Sequence, residues 1–208
     1  MKDIVVLVAD LDTENAIRGL FTRPDALGTR PFSFDIFRHE QRDPGCLRGA
    51  VDFLRSFTKR YQHALVIFDY EGCGRNSEEP AKLQSELTNH LANSGWAQRA
   101  ATIIIDPELE IWVWSDSPHV DDVLGWKGRS PSLRQWLSDK GWLPPNTFKP
   151  ARPKEAMHAA LRVVKKIPSA AAFLQLGRSV SFQRCVDPAF QTLLGLLRKW
   201  FPLQEDIG

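Results

Sequence analysis

The 208 residues predict an α/β fold, a mostly parallel, Rossmann-like sheet flanked by helices with a helical C-terminal extension. Three observations carry this. Short unbroken apolar runs recur in the first half, amphipathic stretches at helical spacing separate them, and after about residue 116 the strand-like runs stop. An apolar run with no polar alternation is a strand buried on both faces, as in parallel sheets. We therefore expect residues 1–116 to form the α/β core and 117–208 a helical extension packed on it.

The first strand is expected over 4–9, Ile-Val-Val-Leu-Val-Ala. Thr13 would cap a helix through Ala16, Ile17, Leu20 and Phe21 that stops before Pro24. A less regular run over 32–37 is read as the second strand, and Asp43-Pro44-Gly45 as a turn. Leu47, Val51, Leu54 and Phe57 predict a helix over 47–60. The third strand is 64–68, followed by a loop at Gly72–Asn76, a helix over 78–94 and a fourth strand over 101–105. Prolines cut the remainder into short pieces, in which apolar spacing predicts three packed helices around Leu133–Leu137, Met157–Val164 and Phe190–Leu197. Five of the seven tryptophans fall between Trp112 and Trp142, where core packing is a simpler use than base stacking.

Ligands of parallel sheets gather outside the carboxyl ends of the strands, and acids are concentrated there. The first strand delivers Asp10 and Asp12, the third Asp69 and Glu71, and the fourth Glu108 and Glu110. Carboxylates crowded on one edge repel unless a hard divalent cation lies between them, so Mg²⁺ or Mn²⁺ is the expected cofactor. Charge is uneven along the chain. Residues 1–144 hold 17 basic and 21 acidic side chains, whereas 145–200 hold ten basic residues against Glu155 and Asp187, and Glu205 and Asp206 close the chain. An acidic half joined to a basic half suits an enzyme acting on a polyanion, with Arg152, Lys154, Arg162 and Lys165 as candidate nucleic-acid contacts.

Other classes fit less well. Cys46, Cys73 and Cys185 lack metal-ligand spacing and read as reduced thiols of a cytoplasmic protein, and no run is long enough for a membrane span. No nucleophile elbow or phosphate loop is present. Asp10-Leu11-Asp12-Thr13 is similar to the first motif of haloacid-dehalogenase phosphatases without its glycine, and Asp121-Asp122 could supply their late acidic pair. His39 falls just after the second strand and could reach the acidic edge.

Several segments together resemble a small Toprim-like family of unknown function from bacterial defence gene clusters. Asp10-Leu11-Asp12-Thr13-Glu14 resembles that family's Glu-Gly-x-Thr-Glu, and Phe68-Asp69-Tyr70-Glu71-Gly72 its Asp-x-Asp motif. Glu108-Leu109-Glu110-Ile111-Trp112 is similar to its Glu-x-Glu-Ala-Trp segment, and Pro153-Lys154 and Cys185–Phe190 to its closing elements. The resemblance implies the metal-binding core of topoisomerases, primases and the overcoming-lysogenization-defect nucleases. Asp10 would then be the general acid or base, and Asp69, Glu71 and Glu110, with Asp10, the metal ligands. Lys154 would be a catalytic cation offsetting charge on the phosphate. The resemblance further implies a hydrolase of nucleic-acid backbones, DNA or RNA, in an antiviral system associated with methylation. Its partner would be operon-encoded, in this family often an ATPase, and the chain a possible homo-oligomer. Asp10 stands where the family has Glu and Glu71 where it has Asp, one methylene shorter and one longer. The same resemblance leaves open a catalytically degenerate scaffold that docks the partner.

Overall fold

A computed structural model describes residues 1–203; Glu205 and Asp206 lie outside the described residues. Four parallel strands, β1 (Lys2–Val8), β2 (Phe34–Arg38), β3 (Tyr61–Asp69) and β4 (Ala100–Ile105), form one sheet in the order β2-β1-β3-β4. Helix α1 (Leu11–Phe21) and the single turn α2 (Pro24–Leu27) connect β1 to β2, α3 (Arg42–Arg55) connects β2 to β3, and α4 (Pro80–Leu91) leads towards β4. Six helices follow: α5 (Glu110–Val113), α6 (Pro118–Leu124), α7 (Leu133–Asp139), α8 (Pro153–Val163), α9 (Ala170–Ser179) and α10 (Pro188–Trp200). None of the described helices is long and apolar enough to cross a membrane.

The strand residues divide by parity, as a pleat requires. Val5, Leu7, Ala64, Val66 and Phe68 face one core with Leu54 and Leu87. Ile4, Val6, Val8, Leu65, Ile67 and Ile103 face the other, which also holds Leu161, Phe173, Leu193 and Leu197. Helix α1, through Ile17, Leu20 and Phe21, and the C-terminal helices together cover this face of the sheet. Their closest approach is α1 against α9, where a Cβ at Gly19 would lie 2.6 Å from the Leu174 carbonyl and one at Gly177 2.6 Å from the Ala16 carbonyl. Only glycine allows two backbones this near.

The structure corrects some local expectations. The cap of α1 is Asp10, not Thr13: Asp10 Oδ1 accepts from the Thr13 N–H at 2.8 Å and from its hydroxyl at 2.9 Å. Asp10 stands two residues after the strand and directly before α1, and so meets the helix's unpaired N–H groups first. Asp43-Pro44-Gly45 is the first turn of α3 rather than a free turn, since a proline there removes no helical hydrogen bond. Helix α3 ends at Arg55, short of residue 60. The extension holds five helices, not three: α6 is short, and α9, with Phe173, Leu174 and Leu176, is absent from the expected three. Trp112, Trp114 and Trp126 are buried, as core packing requires.

Candidate metal and phosphate site

Register explains why distant acids meet. Val8 pairs with Ile67 across β1 and β3, so Asp10 and Asp69, each two residues further on, emerge level with one another. The strand order reverses direction between these two strands, the point where parallel sheets leave a crevice. The segment after β4 closes the edge: the Tyr70 N–H donates to Ile105 O at 2.8 Å and the Glu71 N–H to Pro107 O at 3.0 Å. Asp10, Asp43, Asp69, Glu71 and Glu108 line one pocket here, with Arg42 and Lys154. Asp10, Arg42 and Lys154 also line a larger adjoining cleft of about 710 Å³, which Asp12 and Glu110 enter as well.

Asp69 is the strained member. Its Oδ1 is fully buried without a hydrogen-bond partner, a situation that ordinarily costs about 1–3 kcal/mol. Burial pushes its carboxyl well above the usual range, Asp43, Glu110 and Asp10 push it further, and the Leu109 N–H offsets only part. Asp43 was expected only as a turn residue. Its Oδ1 accepts the Asp69 N–H at 2.9 Å, and its own pKa is raised by burial and by Asp10. The available signal was position, since Asp43 follows the carboxyl end of β2 as Asp10 follows β1. Burial, then Asp10, raises Asp12 too.

Glu108 and Glu110 divide their roles. Glu108 Oε1 accepts the Lys154 N–H at 3.0 Å, so it caps the first turn of α8 and ties the extension to the core. Glu110 is buried, its one ion pair among the described residues being with Lys154 Nζ at 4.0 Å, and its carboxyl is pushed up to about 7, chiefly by burial, with Lys154 opposing. Burial pulls Lys154 down, but Glu110 and Glu108 more than reverse this, and the amine ends above its ordinary value. The Lys154 backbone is fixed from both sides, as Pro153 O accepts the Trp114 indole N–H at 3.0 Å. A similar clamp joins Asp187 to the Trp112 indole at 2.9 Å and to the Phe190 N–H that starts α10.

Not every expected residue converges. Arg162 and Lys165 lie at and beyond the far end of α8, about 12 Å or more from Lys154 at 1.5 Å per residue. Arg152 stacks on Trp142 and lines neither pocket. Asp121 and Asp122 belong to α6 and also lie outside both pockets, so they cannot serve Asp10 as a phosphatase pair. His39 lines the larger cleft, its Nδ1 accepting the Gln41 N–H at 3.2 Å, with its ring over Gly45 and Gly49. Arg38 and His158, neither anticipated, line it too.

A divalent cation suits what is present. Asp69 Oδ1 lacks a partner, and Asp10 spends only Oδ1 on its helix cap, leaving Oδ2 unengaged among the described residues. Hard oxygens in this number match Mg²⁺ or Mn²⁺ chemistry. Among the described residues, no group of three or more His, Cys, Asp or Glu side chains is placed closely enough to hold a metal ion as it stands. No family model, no curated protein and no solved structure matches this chain.

Proposed function

We propose that this chain is a Toprim-like component of a bacterial antiviral defence system that hydrolyses nucleic-acid phosphodiester bonds with Mg²⁺ or Mn²⁺. The observation that carries the reading is Asp69, a buried carboxylate with an unpartnered oxygen at the crevice between β1 and β3, crowded by Asp43, Glu110 and Asp10, with no cation hydrogen-bonded to it among the described residues. Such an arrangement is costly in itself and is relieved by binding a positive ion. The defence setting, the cytoplasmic location and the operon-encoded, ATPase-type partner rest on the motif resemblance alone.

Asp10, Asp69 and Glu71 would hold the ion, with Asp43 behind Asp69 and Glu110 facing from the adjoining cleft. When bound, the ion supplies charge neutralisation at the phosphate and a water acidic enough to attack it. Asp10 would offer Oδ2, the oxygen its helix cap leaves free, either to the ion or as the base that accepts a proton, while Oδ1 keeps the carboxylate anchored to α1. Lys154 Nζ, positioned by the Glu108 cap, stands over the edge to balance charge on the phosphate oxygens.

Titration calorimetry with Mn²⁺ and a cleavage assay on single- and double-stranded DNA and RNA test this. Wild type should bind Mn²⁺ and cut a strand, and Asp69→Ala should do neither. Wild type that neither binds Mn²⁺ nor cuts any of these substrates overturns it. One observation favours a second reading, a degenerate scaffold that docks its partner: Lys154 is already paired with Glu108 and Glu110 at 3.6 and 4.0 Å. In that case Asp69→Ala leaves capture of the operon-encoded partner unchanged and there is no metal affinity to lose.

A further inference from the structure

The larger cleft carries chemistry that metal binding does not use. Its volume of about 710 Å³ falls within the range of small-ligand sites, roughly 300–1,000 Å³. One part of its wall is cationic. Arg38 and Arg42 both line it; Arg38 is paired with Glu14 at 3.0 Å, whereas Arg42 is exposed with no ion-pair or side-chain hydrogen-bond partner among the described residues. Arg42 opens α3 at a φ of 51°, a left-handed conformation that a non-glycine residue seldom adopts. Another part is apolar. Leu11 sits on the rim 46% exposed, with Pro168 also exposed, over a floor of Met157 and Phe173. An unpaired guanidinium opposite an apolar shelf matches the two halves of a nucleotide, an anionic phosphate and a flat base.

We propose that this cleft is a nucleotide subsite that takes the unit next to the scissile bond, its phosphate on Arg42 and Arg38 and its base against Leu11 and Pro168, which makes the substrate single-stranded. The assignment rests on the nuclease reading for the neighbouring bond; the cleft shares Asp10, Arg42 and Lys154 with the acidic pocket and adds Arg38, Leu11 and Pro168, which that pocket does not use. Asp10 borders both pockets, so a phosphate on Arg42 and one at the acidic edge belong to neighbouring positions of one strand. A base in a duplex is paired and stacked, and turning it into the cleft would cost roughly a few kcal/mol of unstacking. An unpaired base enters without that cost, which favours a single strand.

Fluorescence anisotropy of a labelled 12-nucleotide strand and of its blunt duplex tests the proposal, in EDTA and low salt. The parent protein is Asp69→Asn, in which one repelling charge is gone and cleavage is disabled. The single strand should bind at least fivefold tighter than the duplex. Arg42→Ala should weaken it about tenfold and Leu11→Asp at least threefold, with unchanged circular dichroism. Duplex binding as tight as the single strand, or two folded variants that bind like the parent, overturns the subsite. The two readings fail separately. Strand binding that depends on Arg42 in a wild-type chain without Mn²⁺ affinity or cleavage sinks only the metal reading. Mn²⁺-dependent cutting of duplex and single strand alike, indifferent to Arg42, sinks only the subsite.

Discussion

The two ends of the same sheet treat carboxylates in opposite ways. At the amino end, Asp3 meets the Arg30 guanidinium at 2.7 Å, and Asp35 meets Lys2 at 2.7 Å and the Tyr61 hydroxyl. Burial pushes Asp3 up, but Arg30 and Ser33 outweigh it and hold the carboxyl at about 2. Asp35 is likewise held below its ordinary value, by Lys2 and then Tyr61. At the carboxyl end, roughly 20 Å along β1, Asp12, Asp43, Asp69 and Glu110 are all raised by burial first and then by neighbouring acids, Asp10 and Glu108 among them. The acids of the amino end are less deeply buried and each has a cation in contact, whereas Asp69 and Glu110 are deeply buried with too few cations to offset the cost. Burial and the shortage of partners together make the carboxyl end the one that can accept a cation from outside.

The largest expected effect comes from removing the charge at Asp69. Asp69→Asn should lower the cleavage rate about a thousandfold, about 4 kcal/mol in the barrier, in a steady-state assay with Mn²⁺. Unfolding in urea should meanwhile show a metal-free protein at least as stable as wild type, since an unpaired buried anion has gone. Loss of stability with loss of activity would place Asp69 with the satisfied acids of the other end.

Glu110 gives the next effect. Its folded pKa of about 7 lies above the ordinary value, so its contribution is intact below about pH 4.5 and is lost as pH rises through 7. The metal-free protein should lose about 2–3 kcal/mol across that window, and Glu110→Gln should flatten the slope. Urea midpoints at half-unit pH steps measure it. A wild-type profile already flat between pH 4.5 and 7 would remove Glu110 from the frustrated edge.

The same contrast decides what could be read from sequence. The strands, the acids after them and the helical extension were legible, because an apolar run and the polar residue ending it are both local signals. Asp43 was not, since its meaning depends on β2 ending level with β1, a fact of register rather than composition. The α1–α9 contact was also hidden. Gly19 and Gly177 look like helix weaknesses until 158 residues of chain bring them face to face. Conversely, Arg162 and Lys165 looked like substrate contacts because composition cannot say which end of α8 meets the site.

That close approach supplies a third prediction. Gly19→Ala should cost about 2 kcal/mol, because the new methyl group would sit 2.6 Å from the Leu174 carbonyl and force α9 away from the sheet. Gly195→Ala in α10, where a Cβ meets nothing within 4 Å, should instead stabilise by about 0.5–1 kcal/mol. Thermal melts of the two variants compare them directly. Equal shifts would mean that the C-terminal helices do not bear on the sheet through this crossing.

The smallest effect tests the satisfied end. Because the folded pKa of Asp3 is depressed, its pairing stabilises above the unfolded value near 4 and is lost as pH falls through about 2. Partial exposure of Arg30 and Asp3 screens the pair, so Asp3→Asn should cost only about 1 kcal/mol at pH 7 and nothing near pH 2. The sign is opposite to that of Glu110, and the windows hardly overlap. Mn²⁺ sharpens the contrast further. It should abolish the slope between pH 4.5 and 7 and leave the low-pH slope untouched, because Arg30 already occupies the place at the amino end that a metal would take at the other. An Asp3→Asn variant whose deficit persists unchanged at pH 2 would show that the ion pair is not what distinguishes the two ends.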